Sequence, residues 1–354
     1  MKANAIIKSV RNLRNAAAIN VNRARGAEFI PARGGALNIE TSSLCNLDCV
    51  FCAYGKKHSP RLTMSNADFE NYVGQAIALG YDDYDLTPCT GDVFMDRHIF
   101  DKFAFLDAVP GMGRYGFYTN FCVPRPADIE RLTTLRRMHG FGVSVYGHDL
   151  DTFLKISRST EAVYHRLVRN LEQLLRLVEA GKLRTHLAVH PGRGNIRGRR
   201  SEIVTLLDAF RKAGVPVVLT KGVYNNWGGF VTQDDLRGLP LKVGRPGDVY
   251  KNGACVRLFT TIQVMATGIV NGCACRDADA TLQLGDLKTT PLRDIVSVSN
   301  SAYMQLIDEQ QRGDFRPVCE SCDFYASIYH KSSVYRKTGV RLQTLKEWRS
   351  APAR

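Results

Sequence analysis

The sequence predicts an α/β chain: an open, partial (β/α)6 barrel followed by a small α+β region. Three observations predict it. From residue 36, short apolar strands alternate with helical stretches, one after another. The alternation stops near residue 230, in a Gly- and Pro-containing stretch at 228–250. The cysteines fall into an early group just after the first strand and a late group beyond that stretch. Strand–helix alternation implies parallel strands with right-handed crossovers, and six units are too few to close an eight-fold barrel. The expected organisation is a basic helical segment at 1–35, the barrel at 36–230, the small region at 231–330 and a basic tail at 331–354.

Residues 1–25 carry Lys2, Lys8, Arg11, Arg14, Arg23 and Arg25 without an acid. The apolar residues Ile6, Ile7, Val10, Leu13 and Ala17 recur at helical spacing, which suits a helix packed on the main domain. The same pattern also fits a helix lying on a membrane surface, or a transit peptide. The strands expected next are Leu37–Thr41, Tyr84–Pro88, Tyr115–Thr119, Phe141–Tyr146, His186–His190 and Val217–Thr220. Helices are expected near 65–79, 97–106, 126–137, 160–181 and 201–213. Leu167, Leu171, Leu174, Leu175 and Val178 give the fourth of these one continuous apolar stripe. In parallel α/β structures the chemistry gathers at the C-terminal ends of the strands, so the loops just after them are where a site belongs.

Composition narrows the classes. The chain has 354 residues, 44% of them hydrophobic, ample for a sizeable core. No run of 18 apolar residues occurs and no secretory signal opens the chain. Ten cysteines without such a signal point to a reducing, cytoplasmic setting and to metal binding rather than disulfides. The net charge of +14 suits nucleic acid, anionic lipid, a phosphorylated substrate or an acidic protein partner. Much of it sits at the ends, the last stretch holding Lys331, Arg336, Lys337, Arg341, Lys346, Arg349 and Arg354. Aromatic–basic RNA motifs are absent, so no nucleic-acid partner is expected.

The early cysteines are Cys45, Cys49 and Cys52, spaced CxxxCxxC on the loop after the first strand. Three thiolates there can hold three irons of a [4Fe–4S] cube and leave the fourth open for a ligand, as an open position marks a catalytic zinc. In the late group, Cys255, Cys273, Cys319 and Cys322 supply four thiolates, enough to close a second cube or a structural zinc site built of thiolates alone. Cys275 is extra, and Cys89 and Cys122 fall outside both groups.

This cysteine spacing on a six-unit half barrel, with Phe51 just before the third cysteine, resembles the radical S-adenosylmethionine (SAM) enzymes. The resemblance implies that the open iron takes the amine and carboxylate of the methionine moiety. The reduced cluster then cleaves the sulfonium to a 5′-deoxyadenosyl radical, which removes a hydrogen atom from substrate. It further implies that Thr90-Gly91-Asp92 receives the methionine ammonium, although the family more often has Gly-Gly-Glu. Asn120 is expected to border the cofactor, Ser144 to meet the ribose and Arg158 to fork the carboxylate. The late cysteines, led by Trp227-Gly228-Gly229, resemble the family's SPASM auxiliary-cluster region in its shortened twitch form. Their spacing resembles that of twitch-bearing members that oxidise an aminocyclitol hydroxyl, and the chain also resembles sulfatase-maturase-like members.

The cofactors implied are two [4Fe–4S] clusters and S-adenosyl-L-methionine. The substrate expected is a small polar molecule (a sugar, cyclitol or nucleoside type), because the strands begin too early for a leader-binding domain. Phosphorylated or nucleotide-linked forms suit the charge, as does an acidic ferredoxin or flavodoxin reductant. Oxidation, with the closed cluster as electron acceptor, is the leading expectation. The alternatives are epimerisation with a cysteine hydrogen donor (Cys275, Cys89 or Cys122) and peptide modification. His190 and His148 are candidate bases, with Tyr146, Lys221 and Tyr224 also near strand ends.

Overall fold

The computed structural model describes residues 2–32, 36–331 and 340–350. Arg336, Lys337 and Arg354 of the basic tail lie outside the described residues. Helix α1 (Lys2–Ala24) and strand β1 (Ile30–Pro31) precede the barrel. Then come β2 (Ala36–Ile39), α2 (Asn66–Ala78), β3 (Asp83–Asp85), α3 (Ile99–Ala108), β4 (Arg114–Thr119) and α4 (Pro126–Leu132). The barrel continues with β5 (Met138–Tyr146), α5 (Leu150–Ser157), α6 (Glu161–Glu179), β6 (Thr185–His190), α7 (Glu202–Lys212) and β7 (Val217–Leu219). Strands β2 to β7 run parallel in chain order, as the alternation predicts.

Local chemistry sets the helix ends. Ser65 and Ser201 cap α2 and α7 by accepting the Asp68 and Val204 N–H groups. Helix α4 starts on Pro126 and stops at Leu132, short of the expected 137. Thr133 and Thr134 follow it, and their hydroxyls donate to the Glu130 and Arg131 carbonyls at 2.7 and 2.8 Å. Helix α5 is an addition to the expected set; Asp149 caps it by accepting the Thr152 N–H at 2.9 Å.

The helix-facing side of the sheet is the core. Leu37, Ile39, Tyr84, Phe117, Phe141, Val143 and Leu187 are buried there. The Phe103, Phe117 and Phe141 rings stack successively at 5.3 Å. On the other face β5 carries Gly142, where a Cβ would lie 2.4 Å from the Tyr118 ring and 2.8 Å from His186. The Tyr118 hydroxyl and His186 Nε2 meet across that gap at 2.6 Å.

Beyond β7 the chain continues in short strands. It holds β8 (Val223–Tyr224), β9 (Lys242–Val243), β10 (Gln263–Val264), β11 (Ile269–Asn271) and β12 (Gln283–Asp286). β10 pairs parallel with β2, and β11 and β12 follow antiparallel, giving one nine-stranded sheet. The 231–330 region therefore extends the barrel's own sheet rather than standing as a separate layer. In the tail, strand β13 (Leu342–Gln343) pairs with β1, and Trp348 of helix Leu345–Ser350 is buried against Phe259 and Tyr303. In α1, Val10 and Leu13 of the expected stripe are exposed, and the side chains of Ile6 and Ile7 lie outside those described. The helix docks through Ile19, which is buried, and through Asn12, Asn22 and Arg23, which donate to the Asp248, Tyr329 and Gln311 carbonyls. Among the described residues, no helix is long and apolar enough to cross a membrane.

Candidate active site

The loop between β2 and α2 is fixed before any cofactor is considered. The Asp48 and Val50 N–H groups donate to the Ser157 and Ile156 carbonyls at the end of α5, at 3.1 and 2.9 Å. Cys52 Sγ accepts the Tyr54 N–H at 3.4 Å, Cys45 Sγ accepts the Leu47 N–H at 3.5 Å, and Tyr54 Oη accepts the Cys45 N–H at 3.2 Å. Cys45, Cys49 and Cys52 thereby face one cleft of about 150 Å³ at the C-terminal ends of β2 to β5. Phe51, Thr90, Gly91, Asp92, Asn120 and Ser144 line the same cleft.

The wall residues are held there by specific contacts. Gly91 has φ of 141°, and a Cβ on it would sit 2.8 Å from the Ser42 carbonyl and 3.0 Å from that of Leu44. Only glycine lets the strand-end turn approach the cysteine loop so closely. Asp92 is buried and accepts from the Phe94 N–H, the Thr119 hydroxyl and the Asn120 N–H at 3.0, 2.9 and 2.7 Å. Burial pushes its carboxyl up to about 6 against the pull of those donors. The Asn120 amide donates to Asn46 Oδ1 at 2.8 Å and reaches Cys45 Sγ at 3.8 Å, tying the end of β4 to the loop. Phe51 stacks on Tyr224 and His190 at 4.7 and 5.2 Å and meets Tyr146 edge-on at 5.3 Å.

Four of the expected site residues stand elsewhere. Arg158 is absent from the cleft wall; it caps α5 in the left-handed region and pairs with Asp48 at 3.2 Å, which braces the cysteine loop from behind. His190 lies behind Phe51, hydrogen-bonded to Thr220 at 3.1 Å, and burial lowers its imidazole to about 4. His148 is buried at the start of α5, bonded to Thr152 and beside Asp149. Neither imidazole lines the cleft. Cys275 lines neither thiol cavity and takes a 3.9 Å contact from Arg257.

The late cysteines converge on a second, tighter cavity of about 30 Å³, whose wall includes Cys255, Cys273, Cys319 and Cys322. Gln310, absent from the sequence-based expectations, orients two of them: its Nε2 donates to Cys319 Sγ at 3.3 Å and its Oε1 accepts the Cys255 N–H at 2.8 Å. The one signal for it is a buried polar residue on the apolar face of a helix. Arg257 and Arg276 line this cavity and stack on Phe324 at 3.9 and 4.3 Å, placing positive charge beside the thiols. The Trp227-Gly228-Gly229 turn packs against the last cysteine pair, Asn226 donating to the Ser321 carbonyl at 2.6 Å. Cys89 lines the first cleft, and burial pushes its thiol well above the usual range.

The residues present fit iron–sulfur clusters on donor chemistry. Cys45, Cys49 and Cys52 wall the first cavity and Cys255, Cys273, Cys319 and Cys322 the second, and such soft thiols suit iron–sulfur clusters. Burial pushes Cys45 up to about 12, Cys52 to about 11 and Cys273 to about 12, so these thiols become thiolates only when a cation repays the desolvation. Among the described residues no three Cys, His, Asp or Glu side chains group around a single ion. Thr90 Oγ1 and Trp227 Nε1 on the first cleft's wall are buried without a partner, leaving polar groups for a ligand there.

Comparison with known proteins agrees with this architecture. Residues 255–323 match the SPASM family, an iron–sulfur cluster-binding domain. The fold is similar to that of BtrN solved with AdoMet and 2-DOIA (TM-score 0.53, 14% identity, 84% of this chain and 96% of that one). It is similar to Streptococcus suis SuiB bound to its precursor peptide SuiA (TM-score 0.56, 14% identity, 91% and 80% coverage). It is also similar to anSMEcpe with bound AdoMet (TM-score 0.51, 13% identity, 86% and 96% coverage). No curated protein sequence matches the chain. The chain thus shares the partial-barrel fold of these structures. Beyond the barrel, on the same sheet, residues 255–323 are similar to the SPASM iron–sulfur cluster-binding domain.

Proposed function

We propose that the protein is a radical SAM enzyme that reductively cleaves S-adenosylmethionine and removes a hydrogen atom from a small polar substrate, oxidising it. The observation that carries this reading is the pair of thiol cavities, one walled by three cysteines of a single loop and one by four. When bound, the clusters and S-adenosylmethionine supply the one-electron chemistry that no side chain can perform. The chain's own residues hold and exclude. Cys45, Cys49 and Cys52 hold the first cluster, and Cys255, Cys273, Cys319 and Cys322 close the second. Gly91 opens space for the methionine end, and the free Thr90 hydroxyl and Trp227 N–H offer hydrogen bonds. Phe51, backed by His190 and Tyr224, keeps water from one wall. The AdoMet in BtrN and anSMEcpe, and the 2-DOIA in BtrN, support this reading.

Anaerobically reconstituted and reduced protein is expected to make 5′-deoxyadenosine, and Cys45→Ala to abolish it. Cys319→Ala is expected to keep that cleavage and lose substrate turnover. Wild-type protein that makes none would overturn the reading. An acidic flavodoxin or ferredoxin is the reductant the +14 chain suits.

One observation favours a second reading, epimerisation: the Cys89 thiol lines the cleft where a hydrogen donor would stand. Product mass separates the two, with a loss of about two mass units for oxidation and a gain of about one for epimerisation in deuterated water.

A further inference from the structure

The loop of residues 191–200, which leaves the end of β6 and leads into α7, encloses a further cavity that the reading above leaves unused. It measures about 640 Å³, within the range of small-molecule pockets. Its wall carries Arg197, Arg199, Arg200, Arg211 and Lys221 against one acid, Asp208, which already pairs with Arg211 at 2.6 Å. Among the described residues, Arg197, Arg199, Arg200 and Lys221 have no ion-pair partner.

The loop is built rather than draped. Ile196 is 7% exposed and pegs it to the core. Gly192 packs so tightly that a Cβ would lie 2.5 Å from the Thr152 side chain. Gly222, at φ of 77°, would put a Cβ 3.3 Å from the Gly194 Cα. Such close backbone approach fixes where the cations point from. The cavity also lies at the same end of the barrel as the thiol cleft. Its Pro191 carbonyl accepts the Tyr224 hydroxyl at 3.1 Å, and the Tyr224 ring stacks at 4.7 Å on Phe51 of the cysteine loop.

Unopposed guanidinium groups around one cavity repel each other until an anion joins them, and each can grip two phosphate oxygens at once. We propose that this pocket binds the phosphate groups of a phosphorylated substrate, holding its anionic end while the reacting carbon reaches the thiol cleft. The inference rests on the function proposed above and names its substrate class.

The test is isothermal titration of full-length, cluster-reconstituted protein with inorganic pyrophosphate, ADP and glucose 6-phosphate, with adenosine as the uncharged control. Binding of the phosphates but not adenosine is expected. ADP binding at least tenfold tighter than pyrophosphate identifies a nucleotide-linked substrate; tighter glucose 6-phosphate identifies a sugar phosphate. The double variant R197Q/R200Q, its fold checked by circular dichroism, is expected to weaken binding at least tenfold, and R293Q, on a separate helix, to leave it unchanged. Absence of phosphate binding, equal losses in both variants, or binding of an RNA oligonucleotide alone would each overturn the proposal. Wild-type protein that makes 5′-deoxyadenosine yet binds no phosphate overturns the pocket and leaves the cleft reading standing.

Discussion

His190 shows how burial alone decides a residue's chemistry. Its imidazole is lowered from 6.5 to about 4, so the folded state holds it neutral where the unfolded chain would protonate it. Below pH 6.5 the unfolded state therefore binds more protons, and stability falls as the pH drops from about 6.5 to about 4. The loss amounts to roughly 3 kcal/mol at most from this group. A His190→Phe variant keeps the stack on Phe51 and is expected to flatten that slope in urea melts taken from about pH 7 to about pH 4. At this scale the cysteines were legible because their spacing is local and a thiolate's affinity for iron needs no fold to state it. Thr90, Gly91, Asp92, Asn120 and Ser144 were legible as strand-end residues, and the structure does bring them to one cleft. His148 and His190 were equally near strand ends, and Arg158 lay in the helical stretch that follows one, but proximity in sequence does not say which way a side chain points. Arg158 turned back to Asp48, and the two histidines turned into packing.

Between elements, a buried ion pair holds the site's second loop. Lys102 of α3 is 1% exposed, pairs with the equally buried Asp96, and donates to the Met64 carbonyl at 2.6 Å. That contact clamps α3 to the turn following Thr90-Gly91-Asp92. Lys102→Met leaves Asp96 buried without its partner and is expected to cost roughly 3–5 kcal/mol, read from the urea midpoint. Loss of S-adenosylmethionine affinity in the same variant would follow from a loosened turn. The barrel strands were legible because they recur in regular alternation with helices such as α6 and α7, whose apolar residues fall at 3.6-residue spacing. β10, β11 and β12 were not: they are two to four residues long and carry Gln263, Asn271 and Gln283, too short and too polar for any periodicity. Helix α5 was hidden for a similar reason, being eight residues set closely between β5 and α6.

Over the whole molecule, the single nine-stranded sheet makes one rigid frame for both thiol sets. About eight irons per reconstituted chain are expected from two cubes, falling to about four when Cys45, Cys49 and Cys52 are all replaced by alanine. About four irons in the wild type, all lost in that triple variant, would mean that the late cysteines hold no cluster of their own, and zinc in place of the second four would mark a structural metal there. The sequence by itself determined the metal chemistry, the half-barrel order and the end of the barrel where the site lies, because thiol spacing and hydrophobic period are properties of nearby residues. Only the tertiary structure decided that the late region continues the barrel's sheet, that Cys89 lines the first cleft, and that loose arginines of residues 191–200 gather into one pocket. Those are contacts between residues far apart in the chain, and they follow from backbone pairing and side-chain direction, which a linear pattern does not encode.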